Sequence, residues 1–164
     1  MARVLIVGGG ARGRRLAADR LEAGDAVRIT TRHEAQRPAI EALGAECWVG
    51  TPDRLETMRG ALDRVTIACW LLGTATGDGD EVAALHGTRL RYWLTQVIDT
   101  TVRGVVYEAA GCVPADVLAG GARLVREHCE RNAIPHAIVD AEPQDEHWPE
   151  QLAAAIDALV APAG

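Results

Sequence analysis

Short apolar runs alternate with amphipathic stretches along the whole chain. The runs have strand length and are rich in Val, Ile and Leu, which is typical of parallel strands buried on both faces. They predict strands at residues 4–7, 26–30, 46–49, 65–72, 103–107 and 136–140. Apolar residues at helical spacing predict helices at residues 13–22, 38–43, 81–98 and 149–160, one that begins just after Pro52 and runs to about 62, and one ending near 132.

Strands that alternate with helices favour a parallel sheet with helices on both faces. Right-handed crossovers and a glycine-rich turn after the first strand favour the strand order 3-2-1-4-5-6, with a ligand crevice beside strands 1 and 4. A length of 164 residues fits a single domain. We therefore predict an α/β, doubly wound Rossmann domain of about six strands over residues 1–164.

Three glycines follow the first strand in the pattern G-x-G-x-x-G: Gly8, Gly10 and Gly13. In a strand–turn–helix unit they allow a tight turn, close approach of a pyrophosphate, and close packing of helix on strand. The N-terminus of the following helix would direct free N–H groups at that phosphate, and Ala11, within the glycine loop, is a further predicted contact. The pattern predicts a dinucleotide site, and the alternative is a glycine-rich turn in a protein that has lost its cofactor.

The residues after the second strand indicate which dinucleotide is bound. Thr31 and Arg32 stand there, and no acidic residue occurs before Glu34. An acidic residue would favour NAD, whereas an arginine accommodates the 2′-phosphate of NADP. We therefore expect NADP rather than NAD, with Arg32 on one side of the phosphate. Arg12 is either the other side of this arginine pair or a residue that caps the loop, and Arg32 is alternatively an ordinary surface arginine.

Ligands of doubly wound sheets bind at the carboxyl ends of the strands. Thr51, Leu71 and Leu72 lie at such ends and complete the predicted cofactor contacts. The loop at residues 73–80 contains three glycines and could close over a small-molecule ligand.

Charge and composition exclude several other classes of function. A net charge of −6 argues against nucleic-acid binding. No apolar run approaches the roughly 20 residues that span a membrane, and no signal-peptide pattern precedes the first strand, so we expect a cytoplasmic protein that does not contact membranes. The four cysteines show no metal-ligand spacing, and we expect neither a metal site nor disulfides.

Several short motifs resemble the short-chain dehydrogenase/reductase superfamily, in particular its atypical and extended members of the NmrA-like and epimerase-like type. They are G-x-x-G-x-x-L at residues 10–16, Gly87-Thr88-Arg89, and Val105-Val106-Tyr107. The resemblance implies NAD(P) binding. The aspartate that often contacts adenine in that family corresponds to Thr51.

The family's catalytic Y-x-x-x-K motif is absent, because the chain contains no lysine. Tyr92 and Tyr107 are the only tyrosines, and neither has a cation four residues later. The catalytic residues are therefore unknown, and the weak candidates are Tyr107, Glu108, Cys112 and Tyr92. Three functions remain: an NADP-binding protein without classical reductase chemistry, a nonenzymatic dinucleotide sensor or regulatory module, and an oxidoreductase or epimerase that uses noncanonical residues or a partner subunit.

The predicted helix at residues 81–98 has more apolar residues than one face against a sheet requires. We therefore expect a homodimer formed through this helix. The alternative is a monomer in which Tyr92 and Trp93 cover the core.

Overall fold

A computed structural model describes residues 1–161. Six parallel strands form one sheet in the order β3-β2-β1-β4-β5-β6. The strands are β1 (Arg3–Gly8), β2 (Ala26–Thr31), β3 (Glu46–Val49), β4 (Ile67–Leu71), β5 (Gly104–Glu108) and β6 (His136–Val139). The predicted doubly wound α/β fold and its strand order are confirmed. The final residues of the predicted domain, 162–164, lie outside the described part of the chain.

Helices cover both faces of the sheet. They are α1 (Gly10–Glu22), α2 (Arg37–Ala42), α3 (Gly79–Leu85), α4 (Thr88–Val97), α5 (Ala115–Arg131) and α6 (Trp148–Val160), with short 3-10 helices at Glu34–Gln36, Leu55–Thr57 and Arg59–Leu62. Residues of α1, α2 and α6 pack with Val4, Ile6 and Cys69 on one face. Residues of α4 and α5 pack with Leu5, Val7 and Trp70 on the other. Alternate residues of β1 and β4 therefore belong to different halves of the core.

The single helix predicted at residues 81–98 is wrong, because the chain breaks between α3 and α4. Gly87 has φ −128° and ψ −105°, which is not helical. The indole Nε1 of Trp70 donates to the carbonyl of Leu85, and the ring of His86 bonds to Tyr107 and to the carbonyl of Leu72. The carbonyl of Leu85 and the ring of His86 thus bond to residues of the sheet and of the loop after β4 at the point where the helix is interrupted. Such contacts between distant parts of the chain leave no mark in the periodicity of the sequence.

The helix predicted between Pro52 and about residue 62 is also wrong, because two 3-10 helices occupy this segment. The hydroxyl of Thr57 accepts a hydrogen bond from the N–H of Thr51, and its carbonyl accepts one from the indole of Trp48. A continuous α-helix would require that carbonyl for its own hydrogen bonds.

None of the helices within residues 1–161 is long and apolar enough to cross a membrane. Helix α1 begins at Gly10, three residues earlier than predicted. This earlier start changes which arginine of the glycine-rich stretch faces the ligand crevice.

Candidate cofactor site

A crevice of about 450 Å³ opens at the carboxyl ends of the central strands. Six of the predicted cofactor residues line it, namely Gly8, Gly10, Thr31, Arg32, Leu71 and Leu72. It lies where the sheet extends from β1 to β2 on one side and to β4 on the other. This switch point is where ligands bind in open α/β sheets.

Glycines form the turn from β1 into α1. Gly8, Gly9 and Gly10 all have positive φ, at 83°, 84° and 52°. Gly13 is required for packing, because a Cβ there would lie 2.7 Å from the carbonyl oxygen of Gly8. A Cβ at Gly10, in contrast, would meet no atom within 4 Å beyond its chain neighbours and the backbone of its own helix. The space beside Gly10 thus belongs to the crevice, and the unpaired N–H groups of the first turn of α1 are available to an anion there.

Four predicted contact residues do not line the crevice. Gly13 lies buried beneath the glycine turn, and Ala11 is exposed on the first turn of α1. The hydroxyl of Thr51 bonds to Asp53 instead. Arg12 turns away to a buried carboxylate, so it does not form the second side of the expected arginine pair in this structure.

Arg14, rather than Arg12, lines the crevice together with Arg32 and His33. Helical phase explains the exchange. Gly10 is the first residue of α1 and lines the crevice. Residue 14 lies on nearly the same face of the helix as Gly10, whereas residue 12 lies about 200° around the helix from it. The signal was therefore present in the sequence, but it required the correct start of the helix.

Glu108 is fully buried and accepts hydrogen bonds from three parts of the chain. Arg12 donates through Nη1 at 2.7 Å and through Nη2 at 3.2 Å. Gly73 donates its backbone N–H at 3.0 Å, and Trp148 donates its indole N–H at 3.0 Å. The guanidinium of Arg12 also lies 4.7 Å from the centroid of the Trp148 ring. This set of contacts, which we call the Glu108 network, joins α1, the loop after β4, and α6.

Tyr107 points to the opposite face of the sheet from Glu108 and is also fully buried. Its hydroxyl lies 2.6 Å from Nδ1 of His86, whose Nε2 lies 3.0 Å from the carbonyl oxygen of Leu72. A carbonyl only accepts, so Nε2 carries the proton and the tyrosine donates to Nδ1. Burial raises the pKa of Tyr107 and lowers the pKa of His86. Both groups therefore stay neutral, and Tyr107 has no route to a substrate in the crevice.

The other two catalytic candidates lie apart from these buried groups. Tyr92 is half-exposed on α4, and it is not among the residues that line the crevice. Cys112 is exposed and borders a second cavity of about 280 Å³, which shares Ala75 and Thr76 with the crevice. The structure therefore does not bring Tyr107, Glu108, Cys112 and Tyr92 together as one catalytic centre.

Within residues 1–161, no group of three or more His, Cys, Asp or Glu side chains could hold a metal ion. Cys47, Cys69 and Cys129 are buried free thiols. Burial raises the pKa of Cys69 to about 12, so this cysteine stays protonated in the core.

Comparison with solved structures identifies the fold. A short-chain dehydrogenase/reductase superfamily protein from Agrobacterium tumefaciens with bound NAD is 21% identical, with a TM-score of 0.68 over 83% of this chain and 48% of that chain. The triphenylmethane reductase of Citrobacter sp., complexed with NADP(H), is 16% identical, with a TM-score of 0.64 over 83% and 48%. The chain has their Rossmann fold.

An epimerase has the same fold at lower sequence identity. The UDP-glucuronic acid 4-epimerase of Bacillus cereus, complexed with a fluorinated UDP-sugar and NAD, is 12% identical, with a TM-score of 0.63 over 83% of this chain and 55% of that chain. This chain spans about half the length of these three structures. No protein-family model and no curated protein matches the sequence.

Proposed function

We propose that this Rossmann chain binds a nicotinamide dinucleotide in the crevice. The observation that carries the proposal is the space beside Gly10, which is free of protein atoms and borders the N-terminus of a helix at the switch point of the sheet. The Agrobacterium and Citrobacter proteins hold NAD and NADP(H) respectively, which supports this class of ligand.

We further propose that the preferred cofactor is NADP. Arg32 and Arg14 both line the crevice, and guanidinium groups bind phosphate through paired hydrogen bonds. The residue that ends β2 is Thr31 rather than an acid. A 2′-phosphate on the adenosine ribose would thus find two guanidinium groups, and the residue that ends β2 adds no negative charge beside it.

We propose that the protein lacks the catalytic chemistry of classical short-chain reductases. That chemistry needs a tyrosine that donates a proton near neutral pH, although its ordinary pKa is about 10. No lysine is present to lower this value, and Tyr107 is bonded to His86 in the core. A nonenzymatic module that senses or carries the dinucleotide therefore fits the geometry best.

An oxidoreductase or epimerase with noncanonical residues is the second candidate. The observation in its favour is the cavity beside Cys112, which adjoins the crevice at Ala75 and Thr76 and could receive a small molecule. NADPH oxidation with a panel of small carbonyl compounds separates the two candidates. Robust cofactor-dependent turnover would overturn the nonenzymatic proposal, and its loss in Tyr92→Phe would assign the proton donor to Tyr92.

We also propose that residues 1–164 form one cytoplasmic domain that pairs as a homodimer through α4. Less apolar surface is available than the sequence predicts, because Leu90, Trp93 and Leu94 are buried in the core. Tyr92 on α4 and Ile98 just after it remain exposed, at 48% and 42%. Light scattering at micromolar concentration tests the dimer, and a strictly monomeric mass would reject it.

Titration with NADPH and NADH, followed by fluorescence, tests the proposed cofactor. NADPH should bind more tightly, and Arg32→Ala should narrow the difference by roughly 1 to 3 kcal/mol, the value of a hydrogen bond to a charged group. Arg126→Ala, on an exposed position of α5, is the matched control and should change neither affinity. Equal affinity of the unmodified protein for both cofactors would reject the NADP preference.

A further inference from the structure

The arginine expected to recognise the 2′-phosphate already has a partner. The Nη2 of Arg32 lies 2.5 Å from a carboxylate oxygen of Asp53. Arg32 follows β2 and Asp53 follows β3, so this ion pair joins two neighbouring loops at the carboxyl edge of the sheet. A phosphate that binds Arg32 must therefore compete with a carboxylate for the same guanidinium.

Asp53 is held in place by its own loop. The hydroxyl of Thr51 lies 3.2 Å from the backbone nitrogen of Asp53 and 3.3 Å from one of its carboxylate oxygens. Only 32% of the Asp53 side chain is exposed, compared with 57% of the Arg32 side chain. The aspartate is thus the more constrained partner, and the arginine is the one that can turn toward a ligand.

A second arginine fixes this loop from the other side. Arg89 of α4 donates through Nη1 to the backbone carbonyls of Pro52 and Asp53, at 3.1 and 2.5 Å. Pro52 itself lines the crevice. Arg89 therefore holds the backbone that carries the Asp53 carboxylate, although it does not line the crevice itself.

We infer that Asp53 is a cofactor-specificity residue that limits the preference for a 2′-phosphorylated dinucleotide, and that Arg89 is its positioning residue. The inference rests on the proposed dinucleotide function. Its physical basis is that binding of a 2′-phosphate separates Arg32 from Asp53 and brings two negative groups near each other, whereas a ribose hydroxyl leaves the ion pair intact. Asp53 thus opposes the effect of Arg32 on the choice of cofactor.

The test measures dissociation constants for NADPH and NADH with the full chain and its Asp53→Asn variant. The substitution keeps the shape of the side chain and removes its charge. We expect tighter NADPH binding, almost unchanged NADH binding, and an affinity ratio that shifts by about 2- to 5-fold toward NADPH, the scale of a partly exposed ion pair. Asp63→Asn is the matched control, because Asp63 pairs with Arg64 just before β4, at the opposite end of the sheet.

Arg89→Met should shift the ratio of the NADPH and NADH affinities toward NADPH, but by a smaller factor than Asp53→Asn. Arg89→Lys should keep the ratio of the unmodified protein. If Arg89 has only a structural role, Arg89→Met should weaken the binding of NADPH and NADH equally and leave the ratio of the two affinities unchanged. Thermal unfolding of each variant verifies that it folds.

The outcomes separate this inference from the proposed function. Failure of the unmodified protein to bind either dinucleotide would reject the proposed function and the inference with it. Binding with an unchanged ratio in a folded Asp53→Asn variant would reject the role of Asp53 alone. An equal shift in Asp63→Asn would assign the effect to net charge rather than to the ion pair, and would also reject the inference.

Discussion

The carboxyl edge of the sheet has two halves that use their polar groups in opposite ways. The glycine turn after β1, the first turn of α1 and the loop after β2 present glycines, Arg14, Arg32 and the N–H groups of a helix N-terminus to an open crevice. At the carboxyl end of β5 the polar group is directed inward, where Glu108 accepts hydrogen bonds from Arg12, Gly73 and Trp148. The first half offers charged and backbone N–H groups to the crevice, whereas the second half lines the crevice with Leu71, Leu72 and Ala75 and keeps its carboxylate, Glu108, in internal hydrogen bonds.

This difference explains how binding and catalysis can be separated in one Rossmann fold. A general acid or base must be within reach of substrate and must have a pKa near the working pH. Glu108 has its oxygens occupied by internal donors, and Tyr107 and His86 bond to each other on the far face of the sheet. The residues with suitable chemistry in the second half thus stabilise the fold, whereas the first half remains available to a cofactor.

The largest expected effect follows from removing the charge of Glu108. In Glu108→Gln, Arg12 loses its buried counter-ion. The amide NH₂ group of the glutamine also faces one of the N–H donors that Glu108 accepts from, so that donor loses its hydrogen bond. Breaking one partner of a buried ion pair costs about 3 kcal/mol or more, and the remaining exposure of the Arg12 side chain, 19%, keeps the loss near this lower value. Chemical denaturation measures the free energy of unfolding.

Glu41→Gln is the control for this change, because Glu41 forms an exposed ion pair with Arg37. It should leave the free energy of unfolding nearly unchanged. If Glu108→Gln instead abolishes turnover of a carbonyl substrate without loss of stability, Glu108 is a catalytic group and the contrast between the two halves is wrong.

The sequence predicted the ligand-binding half better than the closed half. The glycine turn and the end of β2 are local signals, since spacing alone places Gly8, Gly10 and Arg32 near one another once the fold class is known. The Glu108 network joins residues up to 96 positions apart, Arg12 and Glu108, and no periodicity encodes such a pairing. The same reason explains the missed break between α3 and α4, which depends on contacts of His86 with the sheet.

The second effect concerns the open half. In Gly10→Val the side chain enters the space beside the helix N-terminus, so it should weaken binding of NADPH and NADH by at least about 100-fold, or about 2.7 kcal/mol. No protein atom lies within 4 Å of a Cβ at this position, so the cost to stability comes only from the positive φ. Fluorescence titration measures binding, and thermal unfolding measures stability.

Gly24→Val provides the matched control for Gly10→Val. Gly24 also has positive φ, at 99°, and an open surrounding, but it lies in the turn between α1 and β2 at the opposite edge of the sheet. It should lose similar stability and keep full binding. Dinucleotide binding that survives in Gly10→Val would place the site elsewhere.

The smallest effect belongs to the buried pair of Tyr107 and His86. Tyr107→Phe keeps the ring and removes the hydroxyl, so Nδ1 of His86 loses its donor inside the core. An unsatisfied buried acceptor costs about 1 to 2 kcal/mol, which chemical denaturation can resolve. Tyr92→Phe is the control, because half of the Tyr92 side chain is exposed, and it should leave the free energy of unfolding unchanged. Since Tyr107 lies outside the crevice, Tyr107→Phe should bind NADPH as the unmodified protein does. A selective loss of NADPH binding at unchanged stability would mean that the hydroxyl of Tyr107 reaches the cofactor, which would contradict the contrast between the two halves.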